Sequence, residues 1–144
     1  MEHRIPRFTM AGVEDAEVSV HPFATEDELG LTLTRFRRGG QDGRDGHDDV
    51  VLLVHGLTSS SDMFIMPEHV NLVRFLHRNG YGDVWALDLR MSNRFPYNVE
   101  TRRRDTLDDV ACFDFPAALL NSAAARGRGG FMSSRTAWGR WRST

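Results

Sequence analysis

Apolar residues fall along the chain in blocks whose period changes from segment to segment. Val18-Ser19-Val20-His21-Pro22 and Leu31-Thr32-Leu33-Thr34-Arg35-Phe36 alternate apolar and polar positions, the period of half-exposed strands, and the short stretch from Ala24 to Gly30 predicts an antiparallel pair. Val50-Val51-Leu52-Leu53-Val54 has no alternation at all. A short unbroken run of branched apolar residues suits a strand covered on both faces, as in a parallel sheet flanked by helices. It ends abruptly in His55-Gly56-Leu57 and then the small hydroxyl residues Thr58 to Ser61. Gly56 allows a sharp turn there, and such a turn leaves backbone N–H groups uncovered.

Further on, Pro67 opens a segment in which Val70, Val73 and Leu76, with the neighbouring Leu72, lie at helical spacing, and Asn79-Gly80 supplies a C-terminal stop. The pattern predicts an amphipathic helix of about three turns. Val84 to Leu89 is a second apolar run, followed by Asp88-Leu89-Arg90 and a polar loop from Met91 to Asn98. Strand, loop, helix, strand is the βαβ unit, so the second apolar run should lie parallel to the first. A second helix is expected from Thr106, because Thr106-Leu107-Asp108-Asp109 places a carboxylate three residues after an N-cap hydroxyl. Leu107, Val110, Ala111, Phe115 and Ala118 can share a face of it, and Pro116 should kink or divide it. The expected fold class is therefore α/β, an antiparallel pair followed by a parallel βαβ unit. Residues 39–49, with four glycines among Asp, Arg, Gln and His, read as a solvated linker; no Lys-Ser/Thr ending marks a phosphate loop.

Composition divides the chain in two. All 18 basic residues are Arg. Through Asp114 there are 13 Arg against 20 acidic residues, a balance of −7, whereas the last 30 residues carry five Arg, two of the three Trp and no acid. The Trp residues do not interleave with the Arg in a stacking pattern, so a nucleic-acid partner is not expected. The 144-residue length suits one domain; no stretch reaches the roughly 20 apolar residues that span a bilayer, and a cytoplasmic location follows by default. Cys112 is the single cysteine, the six His have no ligand spacing, and no metal or cofactor is expected.

The chemistry-bearing candidates cluster where strands end. The N–H groups left uncovered by the turn at His55-Gly56 suit an oxyanion loop, which stabilises the negative oxygen of a tetrahedral intermediate. His55 reads as a residue that shapes this loop. Asp88 and Arg90 stand at the carboxyl end of a strand, where open α/β sheets place their sites, and read as supporting charges.

At these residues the chain, from about Val18 to Leu119, resembles the N-terminal part of an α/β-hydrolase, most closely the hydrolase domain that accompanies cholesterol-oxidase-like flavoproteins and more distantly the lysosomal acid lipases. The blocks that carry the resemblance are His55-Gly56-Leu57 with Ser60-Ser61-Asp62-Met63-Phe64, Asn71-Leu72-Val73, Gly80-Tyr81 with Asp83-Val84-Trp85, Leu87 to Asn93, and Asp108 to Ala111 with Asp114 to Ala118. The resemblance implies a carboxyl-ester or lipid-ester hydrolase in which the Leu57 N–H is one oxyanion donor. Hydrolases of this fold carry a nucleophile elbow after the next strand, then an acid and a His. Here Ser133-Ser134 is followed by Arg135-Thr136, and neither an acid nor a His occurs after Asp114.

The expectation is a truncated, inactive hydrolase: a partial domain at 1–119 and a non-native Arg-rich tail at 120–144. Back-translated with GC-rich codons and read one base early, residues 131–141 can encode an apolar strand and an elbow of Ala-His-Cys-x-Gly-Ser form; the single Trp codon at Trp138 fixes the elbow Gly. A frameshift between about Leu119 and Gly130 accounts for this; a naturally divergent C-terminus is the alternative. Such a partial sheet leaves an apolar strand edge open, so self-association is expected. The competing functional class is a non-catalytic module that binds a partner along that edge.

Overall fold

The computed structural model describes residues 10–39, 47–67, 70–95 and 104–127. Strands β1 (Ala16–Ala24), β2 (Gly30–Arg38), β3 (His47–Val54) and β4 (Tyr81–Asp88) form one sheet in the order β1-β2-β4-β3. β1 and β2 are the antiparallel hairpin expected, in register from Ala16 opposite Arg38 to Ala24 opposite Gly30. β3 and β4 run parallel. The hairpin joins the parallel pair through β4, which β2 flanks antiparallel. β4 is thus central, and Val84, Trp85, Ala86 and Leu87 are all fully buried.

Two apolar layers cover the sheet. On one face Val13, Phe36, Leu53, Phe64, Ile65, Val84 and Ala86 pack with Val73 of α1 (Leu72–Arg78). On the other, Phe23, Leu31, Leu33, Trp85 and Leu87 pack with Val110 and Ala118 from the chain after Thr106. That chain begins as α2 (Leu107–Asp109), passes through a π-helical turn (Val110–Asp114) and continues as α3 (Phe115–Arg126). Its N-terminus is the capping box expected: the Thr106 side chain accepts from the Asp109 N–H, and Asp109 accepts from the Thr106 N–H.

Several boundaries differ from the sequence reading. β3 starts at His47, inside the expected linker, with a register irregularity between His47 and Val50; residues 40–46 of that linker lie outside the described residues. α1 starts at Leu72, because the Asn71 side chain caps it by accepting the Arg74 N–H at 2.9 Å. The seven-residue helix buries Val73 and His77, one turn apart, and leaves Val70 and Leu72 exposed. Pro116 divides the second helix as expected. Its position at the start of α3 costs no helical bond, and the π turn before it adds a residue that rotates the face, so Val110, Asp114 and Ala118 point inward while Leu107 and Ala111 are exposed. α3 runs to Arg126, and residues 128–144 of the expected tail lie outside the described residues.

Gly12 locks the amino-terminal 3₁₀ turn (Met10–Val13) to this frame. A β-carbon there would stand 2.1 Å from the Ile65 carbonyl oxygen, and the Gly12 carbonyl accepts from the Asn71 side-chain amide at 2.9 Å.

Candidate functional site

Parallel β3 and β4 end side by side, so the loops that follow them meet. After Val54 the chain turns at His55-Gly56. His55 is buried, and its Nε2 accepts the Leu89 N–H at 3.0 Å. Because Leu89 is the donor there, the ring proton sits on Nδ1, which donates to the Gly56 carbonyl. Both ring nitrogens are committed, so His55 shapes the turn and has no free nitrogen to serve as a base.

The Gly56 carbonyl also accepts from the Ser59 N–H at 3.2 Å, closing the turn. Gly56, Leu57 and Thr58 are exposed at its tip. The N–H groups of Leu57 and Thr58 have no hydrogen-bond partner among the described residues.

The loop after β4 holds this turn from below. Asp88, fully buried, accepts the Ser61 N–H and the Ser61 hydroxyl, each at 2.8 Å. The Ser59 carbonyl accepts the Ser92 hydroxyl at 2.8 Å and the Asn93 N–H at 3.2 Å. Arg94 neutralises Asp88 (3.0 Å) and also pairs with Asp62. The segment from Gly56 to Ser61 is therefore fixed at its start by Leu89, in its middle by Ser92 and Asn93, and at its end by Asp88. Sequence reasoning named His55, Gly56, Leu57 and Asp88; it missed Ser92 and Arg94 as clamps, although both stand in the polar run directly after the strand.

Asp88 and Arg90 belong to separate networks. Side chains two apart at a strand's end sit on the same face, yet here Arg90 turns away to three other carboxylates. Its Nε and Nη2 bond Asp114 at 2.9 and 2.7 Å, its Nη1 and Nη2 bond Asp27 at 2.9 and 3.1 Å, and its Nη1 reaches Asp105 at 3.3 Å. All five guanidinium N–H donors are used. Burial disfavours the charged guanidinium, but Asp27 and Asp114 outweigh it and hold Arg90 above its ordinary range. Burial pushes the Asp114 carboxyl up, against the pull of Arg90. Arg90 thereby ties the β1–β2 turn, the entry to α2 and the π turn to the end of β4. It shapes the frame around the loop and does not reach the loop.

No group of three or more His, Cys, Asp or Glu among the described residues is arranged to hold a metal. Cys112 is exposed on the π turn. No helix among the described residues is long and apolar enough to cross a membrane.

An antiparallel pair joined to a parallel βαβ unit, with a tightly held turn at the carboxyl end of β3, is an α/β architecture. More particularly, residues 9–68, which run from the amino-terminal turn through the clamped loop, match the family model described as the partial alpha/beta-hydrolase lipase region. Among solved structures the chain is similar to brefeldin A esterase, a bacterial homologue of human hormone sensitive lipase, at 20% identity over 77% of this chain, with a TM-score of 0.37. It spans 26% of that chain's length. A search of curated proteins gives no match.

Proposed function

We propose that this chain carries the oxyanion half of an esterase or lipase active site and, as it stands, does not turn over esters. The carrying observation is the turn at Gly56-Leu57-Thr58, whose uncovered N–H groups are fixed from below by Asp88, Ser92 and Leu89. Backbone donors held in place before the reaction stabilise a developing oxyanion without reorganisation. The Leu57 N–H is the donor in this reading, and Asp88 supports it through Ser61. The substrate class is a carboxyl or lipid ester, and the parent enzyme is of the type associated with cholesterol-oxidase-like flavoproteins, on the strength of the sequence blocks from His55 to Ala118. The reading includes a cytoplasmic location and no cofactor.

No nucleophile elbow follows, and no acid or His lies beyond Asp114 to complete a triad. The change from a balance of −7 before that point to five Arg and no acid after it, together with the out-of-frame elbow string, supports a frame-shifted segment in residues 120–144.

The purified chain is expected to give no turnover of short acyl esters above a denatured control. The decisive arm is the product of the corrected frame, which should hydrolyse those esters; replacing Leu57 by Pro removes the donor N–H and should lower its kcat by about 10²–10³-fold. A corrected product that is folded but inactive, or a corrected frame that closes in stop codons, would sink the reading.

A further inference from the structure

The two edges of the sheet are built differently. β1, at one edge, carries Glu17 and Pro22, the charge and missing donor that ordinarily keep a strand edge from pairing. β3, at the other, presents Val50-Val51-Leu52-Leu53-Val54 with no charge and no proline, and its outer side has no strand partner among the described residues. Four of these five residues are only half-buried. The helices pack mainly on other strands, α1 on β4 and α3 on β1. The irregularity between His47 and Val50 limits the flat stretch of edge to this apolar run.

We propose that β3 is the dimer interface of this chain, pairing antiparallel with β3 of a second copy about a two-fold axis at Leu52. The run is self-complementary in that register. Val50 stands opposite Val54, Val51 opposite Leu53, and Leu52 opposite itself, so every apolar residue meets an apolar residue; any other register sets Asp49 or His55 against one of them. Directly opposite residues in an antiparallel pair share a face. Leu52 with Val50 and Val54 therefore extends the apolar layer under α3, and Val51 with Leu53 extends the layer under α1.

Charge does not oppose the same register. The exposed Asp49 of each copy lies opposite the second copy's His55, so no acid faces another acid across the two-fold. The arrangement is also closed. Parallel head-to-tail addition of a further strand would leave one β3 edge free, whereas the two-fold consumes both. This inference stands apart from the hydrolase reading, since it uses only the edge.

The test uses the full chain. Sedimentation should show a two-copy species. In a Cys112→Ala background, Leu52→Cys should form a disulfide-linked dimer on mild oxidation, because residues directly opposite in an antiparallel pair are about 4.5–5.5 Å apart at Cα, within disulfide reach. Val50→Cys alone should not cross-link, while a mixture of Val50→Cys and Val54→Cys chains should. Leu52→Lys should convert the dimer to monomer with unchanged far-UV circular dichroism, and Leu120→Lys, on exposed surface of α3, should leave it dimeric. A monomer at every concentration, a dimer indifferent to Leu52→Lys, or association without the 50–54 and 52–52 cross-links overturns the proposal. If Leu52→Lys does not fold, the cross-linking pattern alone decides.

Discussion

At the scale of single residues, position in the fold sets the ionisation of groups whose type alone says little. His77 is an ordinary helical histidine in the sequence, at a place where a lysine or leucine would serve the pattern equally well. In the fold it is buried, and its Nε2–H donates to the Phe36 carbonyl at 3.2 Å. Burial lowers its pKa below the ordinary 6.5, outweighing the favourable carbonyl. The unfolded chain thus binds a proton more readily than the folded one, so His77 contributes stability above pH 6.5 that is lost as pH falls through that value towards the depressed folded pKa. Asp114 works in the opposite sense. Its pKa is raised above 3.8, chiefly by burial, so its contribution is fully present below 3.8 and is lost as pH rises through the folded value. In urea unfolding between pH 7.5 and 5, the His77 contribution should lower the midpoint as pH falls. His77→Gln, which keeps a donor for Phe36, should flatten the slope in that range; an unchanged slope would remove His77 from the account.

At the scale of elements, caps and turn residues set where each segment begins, and the apolar period sets what it is. The Thr106–Asp109 capping box was readable because both partners lie within one turn, and the structure contains both of its hydrogen bonds. Thr106→Ala should cost about 1 kcal/mol, measured as a shift in unfolding free energy, and Thr106→Ser should restore most of it. The onset of α1 was misplaced by five residues because Pro67 is an acceptable first helical residue in isolation. Asn71 wins because its side chain does two jobs, accepting from Arg74 at the helix start and donating to Gly12 from the other end of the described chain. The second of these has no local signal. The face of the second helix was misjudged for a similar reason: the extra residue of the π turn rotates everything upstream of Pro116 relative to a regular 3.6-residue repeat.

At the scale of the whole molecule, Arg90 joins pieces that are far apart in sequence. Fully buried at the end of β4, it binds Asp27 in the β1–β2 turn, Asp105 before α2 and Asp114 in the π turn. A buried ion cluster is a weak source of net stability, but removing Arg90 takes from the fully buried Asp114 the cation that it pairs with. Arg90→Met should therefore destabilise the chain by about 3–5 kcal/mol, and Arg90→Met combined with Asp114→Leu should recover part of that loss. Equal destabilisation in both variants would show that the cluster does not act as a unit. What the sequence determined by itself is what is encoded within a few neighbouring residues: the alternating hairpin, the unbroken apolar run of β3, the sharp turn at Gly56, the Asn79-Gly80 stop, the capping box and the break at Pro116. The tertiary structure alone decided that β4 lies between β2 and β3, that His55 spends both ring nitrogens on its own loop, and that Asp88 clamps Ser61 while Arg90 turns to Asp27 and Asp114. Periodicity and capping act through bonds and contacts within one or two turns of chain, so they are legible in order; ion clusters and loop clamps depend on which distant segments the sheet brings together, and residue spacing carries no record of that.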